Sequence, residues 1–330
     1  MDIRKLLWDA ARPEHKRALP ILSFPAAQKL GVSVESLVKS AGLQARAMET
    51  IARETDTLAA LSLMDLSVEA EAFGAQVRFS EHEVPAIVGQ LVSDEDEAEA
   101  LAVPDLTAGR AMLCVEAVRT AKQHITDKPV IAGMIGPYSL AGRLCDVTEI
   151  MYLCYDEPET VYTVLDKATQ YLIRYGRAMK DAGADGIMMA EPLAGILSPD
   201  MAEEFSMPYV KRVIDALQDE GFAVLYHNCG NAVSRMLEGI YALGAAGYHF
   251  GNAVDMADIL ARTPADVLVM GNIDPAGEFA GGTAASITAA TRSLMAQCGQ
   301  YPNFVPSSGC DIPAHAKWEN IQAFFAAVRG

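Results

Sequence analysis

A closed (β/α)8 barrel with an N-terminal helical extension is the fold class this sequence predicts. Short apolar, β-rich runs alternate with longer helical patterns from one end to the other, the order that parallel strands with helical crossovers produce. Eight such runs occur, which favours a closed barrel over an open doubly wound sheet. At 330 residues the chain has room for one barrel and a leading extension. No Pro- or Ser-rich linker and no internal repeat divides it, so one domain over residues 1–330 is expected.

The strand candidates, in order, are "ALPILSF" (18–24), "LAALSLM" (58–64), "PVIAGMIG" (129–136), "GIMMAE" (186–191), "AVLYHN" (223–228), "GYHFG" (247–251), "VLVMGN" (267–272) and "FVPSS" (304–308). Helix-like segments lie between them at 33–53, 108–126, 157–182, 200–219, 232–243, 254–261 and 283–298. Capping signals bound several of these. "SPDMAEEF" opens one with Ser198 as N-cap, and "KDAGADG" closes another on a glycine before its strand. The acidic run "SDEDEAEA" (93–100) reads as a solvated helix start capped by Ser93, with carboxylates near the positive end of the dipole.

The composition, 51% hydrophobic and 21% charged, is that of a folded chain with a large core. A formal charge of −17 argues against nucleic acid or an anionic membrane surface as partner, since both call for basic residues. The first residues lack a signal-peptide pattern. No stretch reaches roughly 18 uninterrupted apolar residues, so no membrane span is expected. Six cysteines are scattered thinly along the chain. Reduced thiols and a cytoplasmic location are therefore expected.

In a barrel of this kind, chemistry gathers where the strands end. Asp65, Glu191, His227, Cys229, Asn252, Asp255, Asn272, Asp274, Cys310 and Asp311 all follow or close a strand candidate. Among them His227, Cys229 and Cys310 are the natural zinc ligands. Imidazole and thiolate suit Zn²⁺, and three protein ligands with one open position is the catalytic arrangement. His227 and Cys229 stand two apart on an extended segment and so share a face. Cys310 comes from the end of the last strand, with a glycine beside each cysteine (Gly230, Gly309).

Plainer readings stand beside this one. His-x-Cys arises often by chance, and a buried cysteine is commonly a small apolar filler. Cys114, Cys154 and Cys298 sit in helix-like apolar settings, and Cys145 lies near Gly142. His15, His82 and His124 read as surface residues, and His249 as a core or lining histidine. Glu191 is a fourth ligand, a base, a partner holding a ligand, or the cap of the loop that Pro192 begins. Asp65 follows the same logic, and "GNIDP" (271–275) is also a plain turn sequence.

The ordered series "AEPLAGILSP", "YHNCGN", "GNIDP" and "SSGCDIP" resembles the uroporphyrinogen decarboxylase superfamily, and within it the cobamide-dependent methyltransferases of the methylcobamide:coenzyme M type. The likeness runs from about Leu58 to the C-terminus and is strongest after Asp185. It implies zinc on His227, Cys229 and Cys310. It also places Asp65, in "LSLMDLSVEAEAFGA", at the substrate-binding aspartate of the decarboxylases. "GMIGPYSLAG" resembles that family's glycine-proline loop. The arginine-rich N-terminal segment of true decarboxylases is absent, with "ILSFPAAQKLG" in its place.

The resemblance thus implies methyl transfer from a methylated corrinoid to a small thiol such as coenzyme M, or to another acceptor such as tetrahydrofolate. Glu191 and Asp65 are the expected catalytic residues, with Asn252, Asn272 and Asp274 toward the corrinoid. No D-x-H-x-x-G corrinoid-binding sequence occurs in the chain, so the methylcobamide is expected on a separate carrier protein, and a homodimer is an admissible assembly. Two alternatives remain at this stage: a metal-free decarboxylase or lyase using Asp65, and a non-catalytic corrinoid-binding partner.

Overall fold

The computed structural model describes residues 2–330 and lays seven parallel strands side by side in one curled sheet. In chain order the strands are β1 (Ala60–Leu61), β2 (Gln76–Arg78), β3 (Ala86–Val88), β4 (Val130–Ile135), β5 (Gly186–Ala190), β6 (Ala223–Asn228), β7 (Gly247–Phe250), β8 (Val269–Ile273) and β9 (Phe304–Ser308). The sheet runs β1-β4-β5-β6-β7-β8-β9, so successive staves are neighbours. β2 and β3 form a separate antiparallel hairpin, which the sequence reading did not anticipate.

The eighth expected strand, 18–24, is not a strand. It nonetheless lies in the gap between the last stave and the first. Leu19 N–H donates to Pro306 O at 3.0 Å, and Leu58 N–H donates to Ala18 O at 2.9 Å. Pro20 within the segment and Pro306 on β9 both lack an N–H, so a regular ladder here would lose a donor on each side. Ile21 N–H instead donates to the Ser308 hydroxyl at 3.0 Å. The ring is therefore seven laddered strands plus one irregular stave.

Both faces of the sheet are buried, which explains why the strands read as continuous apolar runs. Period-two alternation divides their side chains. Ile131, Met188, Leu225, Met270 and Val305 pack with Ile21 inside the ring, while Val130, Ala132, Ile187, Met189, Val224 and Tyr226 pack against the outer helices. The helix Ile3–Ala11 plugs the end where the strands begin. Its buried face of Ile3, Leu7, Ala10 and Ala11 joins the inner cluster. Lys16 secures that end by donating to the carbonyls of Ala11, Tyr301 and Phe304. The opposite end, where strands finish, is left for the site.

The expected helices at 108–126, 157–182, 254–261 and 283–298 form within a few residues of their predicted bounds, whereas 33–53 and 200–219 are each split in two and 232–243 keeps only a tight turn and the helix Leu237–Tyr241. The longest, Pro158–Asp181, begins with proline in its first turn, where no N–H is needed. It ends in a Schellman pattern: Gly183 (φ +98°) donates to Lys180 O and Ala184 to Met179 O. Ser198 caps its helix through Met201 N–H, as its position predicts. The acidic helix is capped by Asp94 rather than Ser93, whose hydroxyl donates to Glu97. Short helices at Ala26–Leu30, Val68–Ala72, Pro137–Cys145, Glu149–Asp156 and Trp318–Arg329 were not foreseen. Among the described residues, no helix is long and apolar enough to cross a membrane.

Candidate metal centre

β6 carries His227 as its penultimate residue, and the register pairs His227 with Ala190 of β5 and with His249 of β7. Cys229 is the first residue past β6, and Cys310 the second past β9. The chain after β6 is fixed by close backbone packing. A Cβ on Gly230 would fall 2.2 Å from Gly195 Cα, so neither loop admits a side chain there. Gly309 is equally confined, since a Cβ would meet Asn252 Oδ1 at 2.5 Å. The two cysteines are thus each held by an adjoining glycine that allows neighbouring backbone to approach.

One ligand atom from each of His227, Cys229 and Cys310 lies within 4.8 Å of the other two. His227 Nε2 and Cys310 Sγ are 3.5 Å apart. Zn–N and Zn–S bonds of about 2.0 and 2.3 Å at a tetrahedral angle separate N from S by about 3.5 Å, so these residues fit a zinc ion. Hydrogen bonding from Cys310 pulls the Cys229 thiol down to about 7. Cys310 keeps the proton and, also buried, is pushed up to about 12. One sulfur of the pair is thereby a ready thiolate near neutral pH. The other cysteines lack this: burial pushes Cys114 and Cys145 to about 12 and Cys154 and Cys298 to about 11.

A small cavity of about 50 Å³ opens on His227, Cys229 and Cys310. Its remaining wall is Ile21, Met64, Leu66, Ala190, Pro192 and Asp311. Asp311 follows Cys310, and its Oδ1 is buried without a hydrogen-bond partner. Burial, then the nearby Cys310, hold this carboxyl well above the usual carboxylate range.

The other expected site residues have different surroundings. Glu191 is fully buried behind the triad. Its carboxylate accepts from Ser139 N–H at 3.1 Å and the Ser206 hydroxyl at 3.0 Å, and its own N–H donates to His227 O at 2.8 Å. Burial pushes it up to about 7. Asp65 is engaged by Arg110 Nη1 at 2.5 Å and by the Ser67 hydroxyl at 2.6 Å. Asn252 is exposed beside Gly309. Asn272 donates to the carbonyls of Gly251 and Val254, both at 2.9 Å. Asp274 caps the helical turn that follows it through Ala276 and Gly277 N–H, both at 2.9 Å. His15, His82 and His124 are exposed.

Sequence reasoning gave Asp311 a strand-end position without a role, read His249 as a core or lining histidine, and did not single out Ser307. His249 Nδ1 lies 2.8 Å from His227 Nδ1, and its Nε2 lies 2.7 Å from Ser307 Oγ. Strand alternation signals that His227, His249 and Ser307 face inward, but the register that aligns them is a property of the assembled sheet.

Comparison with known proteins gives the family and the fold. A family model described as Uroporphyrinogen decarboxylase (URO-D) matches residues 16–330. The methylcobamide:CoM methyltransferase MtbA of Methanosarcina acetivorans is 27% identical over 265 residues, covering 78% of this chain and 75% of the relative. The uroporphyrinogen decarboxylase of Pseudoalteromonas atlantica is also 27% identical, over 302 residues, covering 89% and 84%. Among solved structures, a methyltransferase from Methanosarcina mazei superposes with a TM-score of 0.86 at 23% identity, over 99% of this chain and 98% of the other. That superposition supports the barrel-like fold.

Proposed function

This chain belongs to the uroporphyrinogen decarboxylase family, and within it we propose that the protein is a zinc-dependent methyltransferase. It would move a methyl group from a methylated corrinoid, presented by a separate carrier protein, to a small thiol such as coenzyme M. Tetrahydrofolate is the other acceptor class to test. The carrying observation is the convergence of His227, Cys229 and Cys310 on one point beneath a cavity. The similarity to a methylcobamide:CoM methyltransferase supports the same reading. The whole chain, 1–330, acts as one barrel in this proposal.

His227, Cys229 and Cys310 would hold the zinc, whose charge would lower the pKa of a bound acceptor thiol and keep its sulfur nucleophilic. The acceptor sulfur forms a bond to the methyl carbon. The carbon–cobalt bond of the methylcobamide breaks, and its electron pair stays on cobalt. The thiol proton passes to solvent, so the products are a methyl thioether and the reduced corrinoid. Ile21, Met64, Leu66, Ala190 and Pro192 wall the cavity with apolar surface, which excludes water that would otherwise solvate the sulfur.

Glu191 acts behind the site in this reading. Its carboxyl ties Ser139 and Ser206 to the end of β5, and its N–H holds the carbonyl of His227. Asp65 is bound to Arg110 and Ser67, which leaves it poorly placed for the decarboxylation that a relative of equal identity carries in its name. The deciding experiment follows the cobalt absorbance of methylcobalamin with a panel of thiols and folates, with zinc added and with zinc removed by chelator. Demethylation that requires both an acceptor and zinc is expected. Turnover of uroporphyrinogen without metal, with methylcobalamin left intact, would replace this reading with the decarboxylase one.

A further inference from the structure

We propose that His249 is a positioning residue that fixes the proton of His227 on Nδ1 and so keeps Nε2 bare for a metal. The inference rests on the reading of His227, Cys229 and Cys310 as ligands. The geometry points to it through a chain of hydrogen bonds running across the inside of the barrel, from the irregular stave to the centre. Ser307 Oγ lies 2.7 Å from the carbonyl oxygen of Leu19. A carbonyl only accepts, so the single hydroxyl proton of Ser307 goes there. Ser307 Oγ must then accept from His249 Nε2, 2.7 Å away.

With its proton on Nε2, neutral His249 presents a lone pair on Nδ1. His227 Nδ1 lies 2.8 Å from that lone pair and has to be the donor. His227 Nε2 is therefore unprotonated, and it is this atom that faces Cys310 Sγ at 3.5 Å. One backbone carbonyl thus dictates every proton position along three side chains. All three are buried, with His249 and Ser307 fully enclosed, so no solvent proton competes at any step. The fold supplies the arrangement directly. His227 and His249 are register partners on β6 and β7, and Ser307 projects inward from β9. Pro20 and Pro306 shape the stave that offers Leu19 O.

The eighth stave, besides closing the ring, anchors this chain through Leu19 O. If 18–24 were absent, Ser307 would be free to turn its proton toward His249, which would reverse the relay and put a proton on His227 Nε2. Partners of this kind raise metal affinity by orienting the ring and selecting its tautomer.

The test combines one direct measurement with variants. Long-range ¹H–¹⁵N correlation of metal-free, histidine-labelled protein should show His227 protonated on Nδ1 and bare on Nε2, and His249 the reverse. The opposite assignment overturns the proposal whatever the variants do. Zn²⁺ affinity, read by competition with a chromophoric chelator, should fall about ten- to a hundredfold in His249→Leu. It should recover in large part in His249→Gln, whose side-chain oxygen can accept from His227 Nδ1. Thermal melts identify any variant that fails to fold, and the tautomer measurement on the unaltered protein stands independently of them. Equal affinity in His249→Leu and the unaltered protein also overturns the proposal. If the unaltered protein binds no Zn²⁺ while the tautomers are as stated, the metal reading fails and the relay stands.

Discussion

At the end of β1, Asp65, Ser67, Glu71 and Arg110 bind one another; at the ends of β6 and β9, His227, Cys229 and Cys310 face a shared gap. Both groups are polar and at least half-buried, and both lie at the same end of the same sheet. Arg110 donates to Asp65 at 2.5 Å, to Glu71 at 2.6 Å and to Ser67 at 2.8 Å, so its guanidinium is almost fully partnered. The triad's ligand atoms instead share only weak sulfur contacts, Cys310 with Cys229 and, at 3.5 Å, Cys310 with His227, while an ordered chain behind it orients the imidazole. A polar cluster that satisfies itself is part of the scaffold. One whose strongest bonds lie behind it, with its reactive atoms aimed at a cavity, is equipped to bind something else.

Removing one member of each cluster should therefore have opposite signatures. Arg110→Met leaves two carboxylates beside apolar surface with no counter-charge, and breaking a buried pair in this way costs about 3–5 kcal/mol. The melting temperature should drop sharply, while Zn²⁺ affinity of the folded fraction stays within a fewfold. Cys310→Ala should do the reverse. Dividing about 10–16 kcal/mol of apparent zinc affinity among four ligands gives about 2.5–4 kcal/mol for one, a loss of roughly a hundred- to a thousandfold. Thermal stability without metal should move by less than about 1 kcal/mol, because no strong partner is orphaned. Chelator competition and melts on both variants check the pair. Similar profiles for the two would erase the distinction between the clusters.

Glu69 tests how complete the satisfied cluster is. Its Oε1 accepts from Ile135 N–H at 3.0 Å, but its buried Oε2 has no partner. Burial first, with Asp65 adding to it, pushes its carboxyl from 4.5 to about 7. A raised folded-state value means the unfolded chain releases the proton first. The stability that protonated Glu69 contributes is then full below about pH 4.5 and is lost as pH rises through 7. Glu69→Gln removes this dependence and keeps an acceptor for Ile135. The variant should melt higher than the unaltered protein at pH 8, by up to about 3 kcal/mol in stability, with the gap closing by pH 5. A gap that stays constant across that range would show that Glu69 is already paired at neutral pH.

The sequence carried the barrel because both-sides-buried strands and amphipathic helices leave different periodicities, and every stave but one has a regular ladder. The exception, 18–24, has the apolar pattern of a strand, but its proline and that of β9 each remove a donor that a regular ladder would use. Ligand types at strand ends were also legible: His227, Cys229 and Cys310 can be picked from spacing, and the fold does bring them together. Their supporting contacts were not legible, because they arise from register. His249 reads as one more core histidine until β6 and β7 are aligned. Arg110 lies 45 residues from Asp65 in sequence, and nothing local announces that they meet.

Asn272 offers the smallest and most discriminating comparison, because its position at a strand end resembles that of the ligands while its bonds resemble those of the scaffold. Its amide holds the carbonyls of Gly251 and Val254, and Gly251 packs against Cys229, leaving no room for a Cβ there. Asn272→Ala frees two carbonyls that water can partly serve, so the expected cost is about 1–2 kcal/mol of stability. The loop that backs Cys229 loosens, and Zn²⁺ affinity should fall only a fewfold, through position rather than through a lost ligand. Melts and chelator competition on one sample decide the matter. A loss of affinity as large as that of Cys310→Ala would move Asn272 from the scaffold into the centre, and with it the boundary that separates the two clusters.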